Sequence, residues 1–421
     1  MAVFARTLRS LAYAPVFRGS LIIERETGMN ENETFDVIMA GGGVMGCATA
    51  YYLLKADPTM KVAIVEKDPT YARSSTVLSD GNIRSQFNIK ENILISLYGM
   101  EKLKTFSDDM SVGDWRPEIS FRQQGNLFLT DGTNKSNAQA GLKLQQSMNC
   151  DVTWMEPADI KARFPLYDET KFAGGTFGRL DGTMDPNAVL QAFRRKSVSL
   201  GAKYIHAEVA EIVHSKGKVE GVKLTNGVRL EAKYVLNSAG AWGTSLARTA
   251  GIELPVEPVR RQVFVFQANA SAEGAYPLTV FPSGLYLIHE NGNQFMCGKS
   301  LENDPVGIDF GWNHDKFNEV LWPELVEYAP AFDQLKILRG WSGLYDVNRF
   351  DGNVLLGEWP GLRGFLLVNG FSGHGFQQCH AIGRYLSEII RGVDVSLDLS
   401  IFSPKRILEN KPVFEGHGKL V

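Results

Sequence analysis

The chain has 421 residues, enough for about two or three domains. With 44% hydrophobic and 22% charged residues it reads as a globular protein, and a net charge of −3 gives no ground for nucleic acid or an anionic membrane surface as a partner. Four scattered cysteines, Cys47, Cys150, Cys297 and Cys379, form no CxxC pair, which speaks against a zinc site or a disulfide framework and for a reducing compartment.

The chain starts MAVFARTLRSLAYAPVFRGS, with Arg6, Arg9 and Arg18 and no acid before Glu24. An arginine-rich, acid-poor start of this kind predicts a mitochondrial transit peptide or a disordered basic tail over residues 1–30. Residues 37–54, VIMAGGGVMGCATAYYLL, are uncharged and just long enough to be weighed as a membrane span. The three glycines inside the run predict instead a strand, a glycine turn and a helix. Gly41, Gly43 and Gly46 fit G-x-G-x-x-G, and a second apolar strand, KVAIVE, ends in Glu66. That is the βαβ dinucleotide unit with its ribose-binding acid. Gly41 permits the tight turn, Gly43 lets the backbone approach a pyrophosphate, and Gly46 allows close helix–strand packing. The helix N-terminus supplies the positive end of a dipole.

Further along, VLNSAGAW predicts a strand running into a tight turn at Ala239 and Gly240, where small residues let the backbone pass close to a cofactor. GFLLVNGFSGHG predicts a strand over residues 365–368, then Gly370, Gly373 and Gly375 ahead of the helix HAIGRYLSEIIRG. Glycines at a helix N-terminus aim backbone N–H groups at an electronegative partner. His374, the ionisable residue of that loop, either tunes what binds there or acts as a spacer. Arg84 in DGNIRSQF is the candidate to grip a substrate carboxylate or face the cofactor, because a guanidinium binds a carboxylate bidentately. Tyr286 and Tyr345 lie on expected strands, facing an interface or filling a core. No metal-ligating spacing is present.

The segments STVLSDGNIR, YVLNSAGAWGTSLARTAG and GFLLVNGFSGHGFQQCHAIGRYLSEII occur in that order. Together they resemble the D-amino-acid oxidase and sarcosine oxidase superfamily of FAD enzymes over residues 35–402. The resemblance implies an α/β fold, with a Rossmann-like FAD-binding domain and a discontinuous, β-rich second domain. The FAD-binding domain is expected at 35–90, 184–254 and 339–402, and the substrate domain at 91–183 and 255–338. A tail follows at 403–421. The resemblance adds Val44, Met45, Lys67, Ser75, Thr76 and Val209 to the expected cofactor contacts. With the last loop it brings in Gly370, Gly373, His374, Gly375, Phe376 and Gln377, and it puts Arg84, Tyr286, Tyr345 and His374 at the reacting end.

Two departures from the family pattern carry chemistry. Relatives that attach their flavin covalently use a histidine or a cysteine, and Leu78 and Gly343 stand at those positions here, so the FAD is expected to be noncovalent. Family oxidases carry lysines that favour reaction with O₂. Met296 and Gln377 stand at the counterpart positions, with Lys299 three residues beyond Met296, so a dehydrogenase is expected over an oxidase. The segments TYARSSTVLSDGNIRSQFNIKENILISL and LPVEPVRRQVFVF resemble a mitochondrial branch associated with assembly of respiratory complex I. This resemblance implies a flavoprotein of the mitochondrial matrix or the matrix face of the inner membrane, with at most peripheral membrane contact. Its partners would be complex I subunits or assembly intermediates. The alternative is an FAD-dependent dehydrogenase of a secondary amine or amino acid.

Overall fold

The computed structural model describes residues 33–415 apart from 271 and 273, so the expected transit peptide lies outside the described residues. The described residues form one compact unit built on two large sheets. The first sheet runs in the order Leu355–Glu358, Phe365–Asn369, Arg229–Asn237, Thr34–Ala40, Val62–Glu66, Lys203–His206. Along this order the strands are parallel except for the edge pair Leu355–Glu358 and Phe365–Asn369, and an antiparallel branch, Lys218–Leu224 then Val209–Ser215, pairs onto Arg229–Asn237. The chain leaves Thr34–Ala40 for Val62–Glu66 on one side, while Arg229–Asn237 lies on the other. This reversal opens a crevice at the carboxyl ends of the strands, where ligands bind in such sheets.

Residues 37–54 are therefore no span. They divide into the strand Thr34–Ala40, a turn, and the 13-residue helix Val44–Ala56. The strand is apolar because helices or further strands cover both of its faces. Among the described residues no helix is long and apolar enough to cross a membrane. The helix Gly375–Arg391 packs across Val44–Ala56 so closely that a Cβ on Gly383 would stand 3.0 Å from the Ala48 backbone. That helix ends at Gly392 in the left-handed conformation (φ 65°), a glycine stop.

The second sheet has eight strands, ordered Leu335–Asn348, Val256–Ala268, Gln294–Gly298, Tyr286–Asn291, Leu278–Val280, Asn126–Thr130, Gly174–Gly178, Val152–Met155. All its pairings are antiparallel except Leu278–Val280 with Asn126–Thr130. Side chains alternate along each strand. Phe264, Phe266 and Phe295 turn to one face, under Phe317 and Leu321, while Val263, Val265, Val280, Tyr286 and Met296 gather on the other.

Two expected boundaries differ from this arrangement. The helix Lys90–Leu103, expected in the second domain from residue 91, buries Ile95 in the core around Val44–Ala56, and a Cβ on its Gly99 would lie 3.2 Å from the Gln377 carbonyl. The strand Leu335–Asn348, partly assigned to the FAD-binding segment from residue 339, belongs to the second sheet. Its ladder with Val256–Ala268 runs from Asn348 opposite Val256 to Leu335 opposite Ala268. The tail is tied down at Arg406, whose guanidinium is bidentate to the buried Asp351 at 2.7 and 3.0 Å. Asp351 also accepts the Val413 N–H at 3.1 Å.

Candidate cofactor and substrate site

A cleft of 540 Å³ lies between the carboxyl ends of the first sheet and the Val263–Tyr286 face of the second. On the first sheet's side the walls are loops whose shapes follow from a few residues.

In the first loop the three motif glycines do different things. Gly41 has φ +115°, and a Cβ there would overlap the Ser238 carbonyl. A Cβ on Gly46 would overlap the Gly41 carbonyl oxygen. Both are therefore needed by the protein itself, and Gly46, grouped with the cofactor motif and expected to allow close packing, lies behind the cleft wall in that packing role. Gly43 differs. Its backbone is extended (φ −62°, ψ −177°), and a Cβ would meet nothing nearer than Thr76 Oγ1 at 3.9 Å. That side of Gly43 opens into the cleft.

Glu66 ends its strand at the cleft and accepts the N–H groups of Gly42 and Asp68, both at 2.8 Å. Burial raises its pKa, and these two hydrogen bonds oppose the shift. Each carboxylate oxygen retains a lone pair for a ribose hydroxyl. Lys67 also lines the cleft, with its ammonium 3.8 Å from the ring centre of Trp242. Ala239 and Gly240 form the opposite lip at the turn Gly240–Trp242.

The loop GFSGHG is shaped from below by Asp346, whose carboxylate accepts the Gly370 N–H at 2.7 Å. Gly370, another expected cofactor contact, does not line the cleft: its N–H is spent on Asp346, and its φ of +84° serves the turn. A Cβ on Gly373 would strike the Tyr345 ring, which packs against the loop. All other expected cofactor residues line the cleft. His374 does so as a neutral imidazole, since burial and then the Arg84 charge push its pKa down to about 3. Its Nε2 is buried without a hydrogen-bond partner.

The reacting end gathers residues from distant segments. Arg84 lies with its guanidinium 4.8 Å from the ring centre of Phe87 and 5.2 Å from that of Phe128, and its backbone N–H donates to Gln377 Oε1 at 2.9 Å. Tyr286 and Tyr345 both line the cleft, and burial raises both phenols, Tyr345 to about 12. Leu78 and Gly343 lie in the same wall. Lys299 is not in this wall; it pairs with Glu324 at 2.7 Å, and Met296 sits in the apolar cluster beneath Tyr286. Sequence reasoning missed charged groups here, among them Asp80 and Arg261. Arg261 is tied to Asp304, which also receives Lys316 at 2.7 Å. The RR pair in VRRQ and the SDG turn were the available signals, but neither has a spacing that marks a site.

Residues 36–389 match the DAO family, FAD dependent oxidoreductase, and the chain belongs to it. The chain is 35% identical to FAD-dependent oxidoreductase domain-containing protein 1 of Xenopus laevis, over 92% of this chain and 86% of that protein. It is 28% identical to sarcosine oxidase subunit beta of Rhizobium meliloti, over 85% and 84%. Among solved structures it resembles L-proline dehydrogenase from P. horikoshii, with a TM-score of 0.81 at 26% identity over 91% of this chain and 100% of that one. FAD is accordingly the cofactor. The cleft fits it on its own terms: Gly43 presents an open backbone face where a phosphate must approach, Glu66 offers a carboxylate, and His374 brings an unpartnered ring nitrogen.

Proposed function

We propose that the chain oxidises the carbon–nitrogen bond of a small amine or amino acid. The observation that carries this reading is the meeting in one cleft of the glycine cradle with Arg84, Tyr286, Tyr345 and Asp80. FAD, when bound, supplies the redox chemistry. The protein's part is to hold and orient the substrate: Arg84 offers a fixed guanidinium to a carboxylate, and the two tyrosines close an apolar wall over it. The relatives named for sarcosine and L-proline support the substrate class. Neither lysine position of the oxidases carries an ammonium, which favours transfer of electrons to another protein or a quinone over transfer to O₂. The test is anaerobic mixing of the flavin-loaded protein with N-methyl and cyclic amino acids. Loss of the flavin absorbance is expected with at least one of them, and an unchanged spectrum with all of them would contradict the reading.

A second reading follows from the resemblance of the segments TYARSSTVLSDGNIRSQFNIKENILISL and LPVEPVRRQVFVF to a mitochondrial branch of the family. In it, the protein works in the mitochondrial matrix or on the matrix face of the inner membrane, supporting assembly of respiratory complex I through contacts with its subunits or assembly intermediates. The arginine-rich start of the sequence supports that location. Cells lacking the protein and re-expressing Arg84→Ala separate the two roles. Restored complex I content with a flavin-loaded Arg84→Ala protein fits assembly without catalysis. Failure of the same protein fits a need for the reaction.

A further inference from the structure

We propose that Asp80 receives the substrate's ammonium group, so that the cleft selects a positively charged nitrogen and not a carboxylate alone. The inference rests on the reading of this cleft as an amine site. Asp80 precedes Gly81, whose φ of +68° and missing Cβ are fixed by the Met184 carbonyl, which a side chain would overlap. The Gly81 N–H donates to Ser79 Oγ at 3.1 Å, closing the turn. This turn places the Asp80 carboxyl in the cleft wall beside the Tyr286 hydroxyl.

Buried acids elsewhere in the fold have partners. Asp181 accepts the Ser85 N–H at 3.0 Å and Gln86 Nε2 at 3.1 Å, Asp346 holds Gly370, and Asp351 holds Arg406. Asp80 has less: the residue is half-buried and the Tyr286 hydroxyl supports its carboxylate, but its Oδ1 is buried without a hydrogen-bond partner, and among the described residues no lysine or arginine pairs with it. Arg261, the nearby cation of the second sheet, is already held by Asp304. A carboxylate with one enclosed, unpartnered oxygen is stabilised when a cation meets it. The groups that face it are Tyr286, Tyr345 and Cys297, with Glu290 adding repulsion. None is a cation, and a ligand's ammonium would supply one. Burial pushes the carboxyl up to about 6, which leaves it ionised at neutral pH.

The test compares two pairs of probes that differ only in the nitrogen: L-proline with cyclopentanecarboxylate, and sarcosine with butyrate. Binding to the flavin-loaded protein is read anaerobically from the perturbation of the flavin spectrum. The nitrogen-bearing member of each pair is expected to bind more tightly, and more tightly still as pH rises through about 6. Asp80→Asn is expected to weaken L-proline and sarcosine about thirtyfold or more, as removal of a buried charge partner does. The same change should leave the two carboxylates unaffected or tighter, because a repelling charge is gone. A general disturbance of the site would weaken all four. Equal binding of L-proline and cyclopentanecarboxylate by the unaltered protein, or equal loss of all four probes in Asp80→Asn, would overturn the assignment. If Asp80-dependent binding is found but no amine bleaches the flavin, the assignment stands and the dehydrogenase reading fails.

Discussion

Leu78 faces Gly343 in the cleft wall: a Cβ on Gly343 would stand 3.2 Å from the Leu78 Cβ. The two positions at which relatives anchor a flavin, far apart in sequence, are thus a single place in the fold, and neither side chain can form a bond there. Trp341 Nε1 ties the segments together by donating to the Leu78 carbonyl at 3.1 Å. Acid or heat should therefore release all of the FAD. Flavin fluorescence that stays with the denatured polypeptide on a gel would contradict this.

Asp181 gives a pH signature. Burial pushes its carboxyl up to about 7, against hydrogen bonds from Gln86 and Ser85 and the Arg84 charge. A folded-state pKa above the unfolded value means that the folded protein binds the proton more tightly. The resulting stability is complete below about pH 4 and is lost as pH rises through about 7. Denaturant midpoints should fall between pH 5 and pH 8. Asp181→Asn should flatten the decline by up to one proton, about 1.4 kcal/mol per pH unit. An unchanged slope in the variant would count against the buried, protonated form.

The tail depends on a buried pair. Arg406→Leu would leave Asp351 without its cation in a site closed to water, at a cost of about 3–5 kcal/mol. The double variant Arg406→Leu, Asp351→Asn should recover part of that loss. Chemical denaturation measures both. A single variant as stable as the parent would place the pair at the surface.

Much of this site is legible in the sequence, for a physical reason. The cradle, Glu66 and the GFSGHG loop are local strand–turn–helix units whose glycines and flanking apolar runs are written within a few residues. Leu78 and Gly343 could be read as missing nucleophiles because each lies in a short motif, although their contact could not. Asp80 escaped notice because its meaning lies in what surrounds it: Tyr286 and Cys297 come from the second sheet, and the absence of a cation shows only when the chain is folded. Lys299 does not replace the missing lysine because an offset of three residues carries it past the end of the strand Gln294–Gly298, to Glu324. Gly370 looked like its neighbours in the loop, but its N–H is taken by Asp346.

In the cradle Gly41 and Gly46 serve the fold while Gly43 serves the ligand, and Gly43→Val tests this division most directly. A side chain at Gly43 meets only Thr76 at 3.9 Å in the protein, but it would occupy the volume the FAD pyrophosphate needs. Gly43→Val should therefore purify folded, with the circular dichroism of the parent, yet colourless. Added FAD should not raise its melting temperature, whereas the parent should gain about 2.7 kcal/mol at 100 times the Kd. Gly46→Val, whose Cβ would overlap the Gly41 carbonyl, should fail to fold properly with or without FAD. A Gly43→Val protein that carries one FAD per chain would contradict the assignment of this cleft.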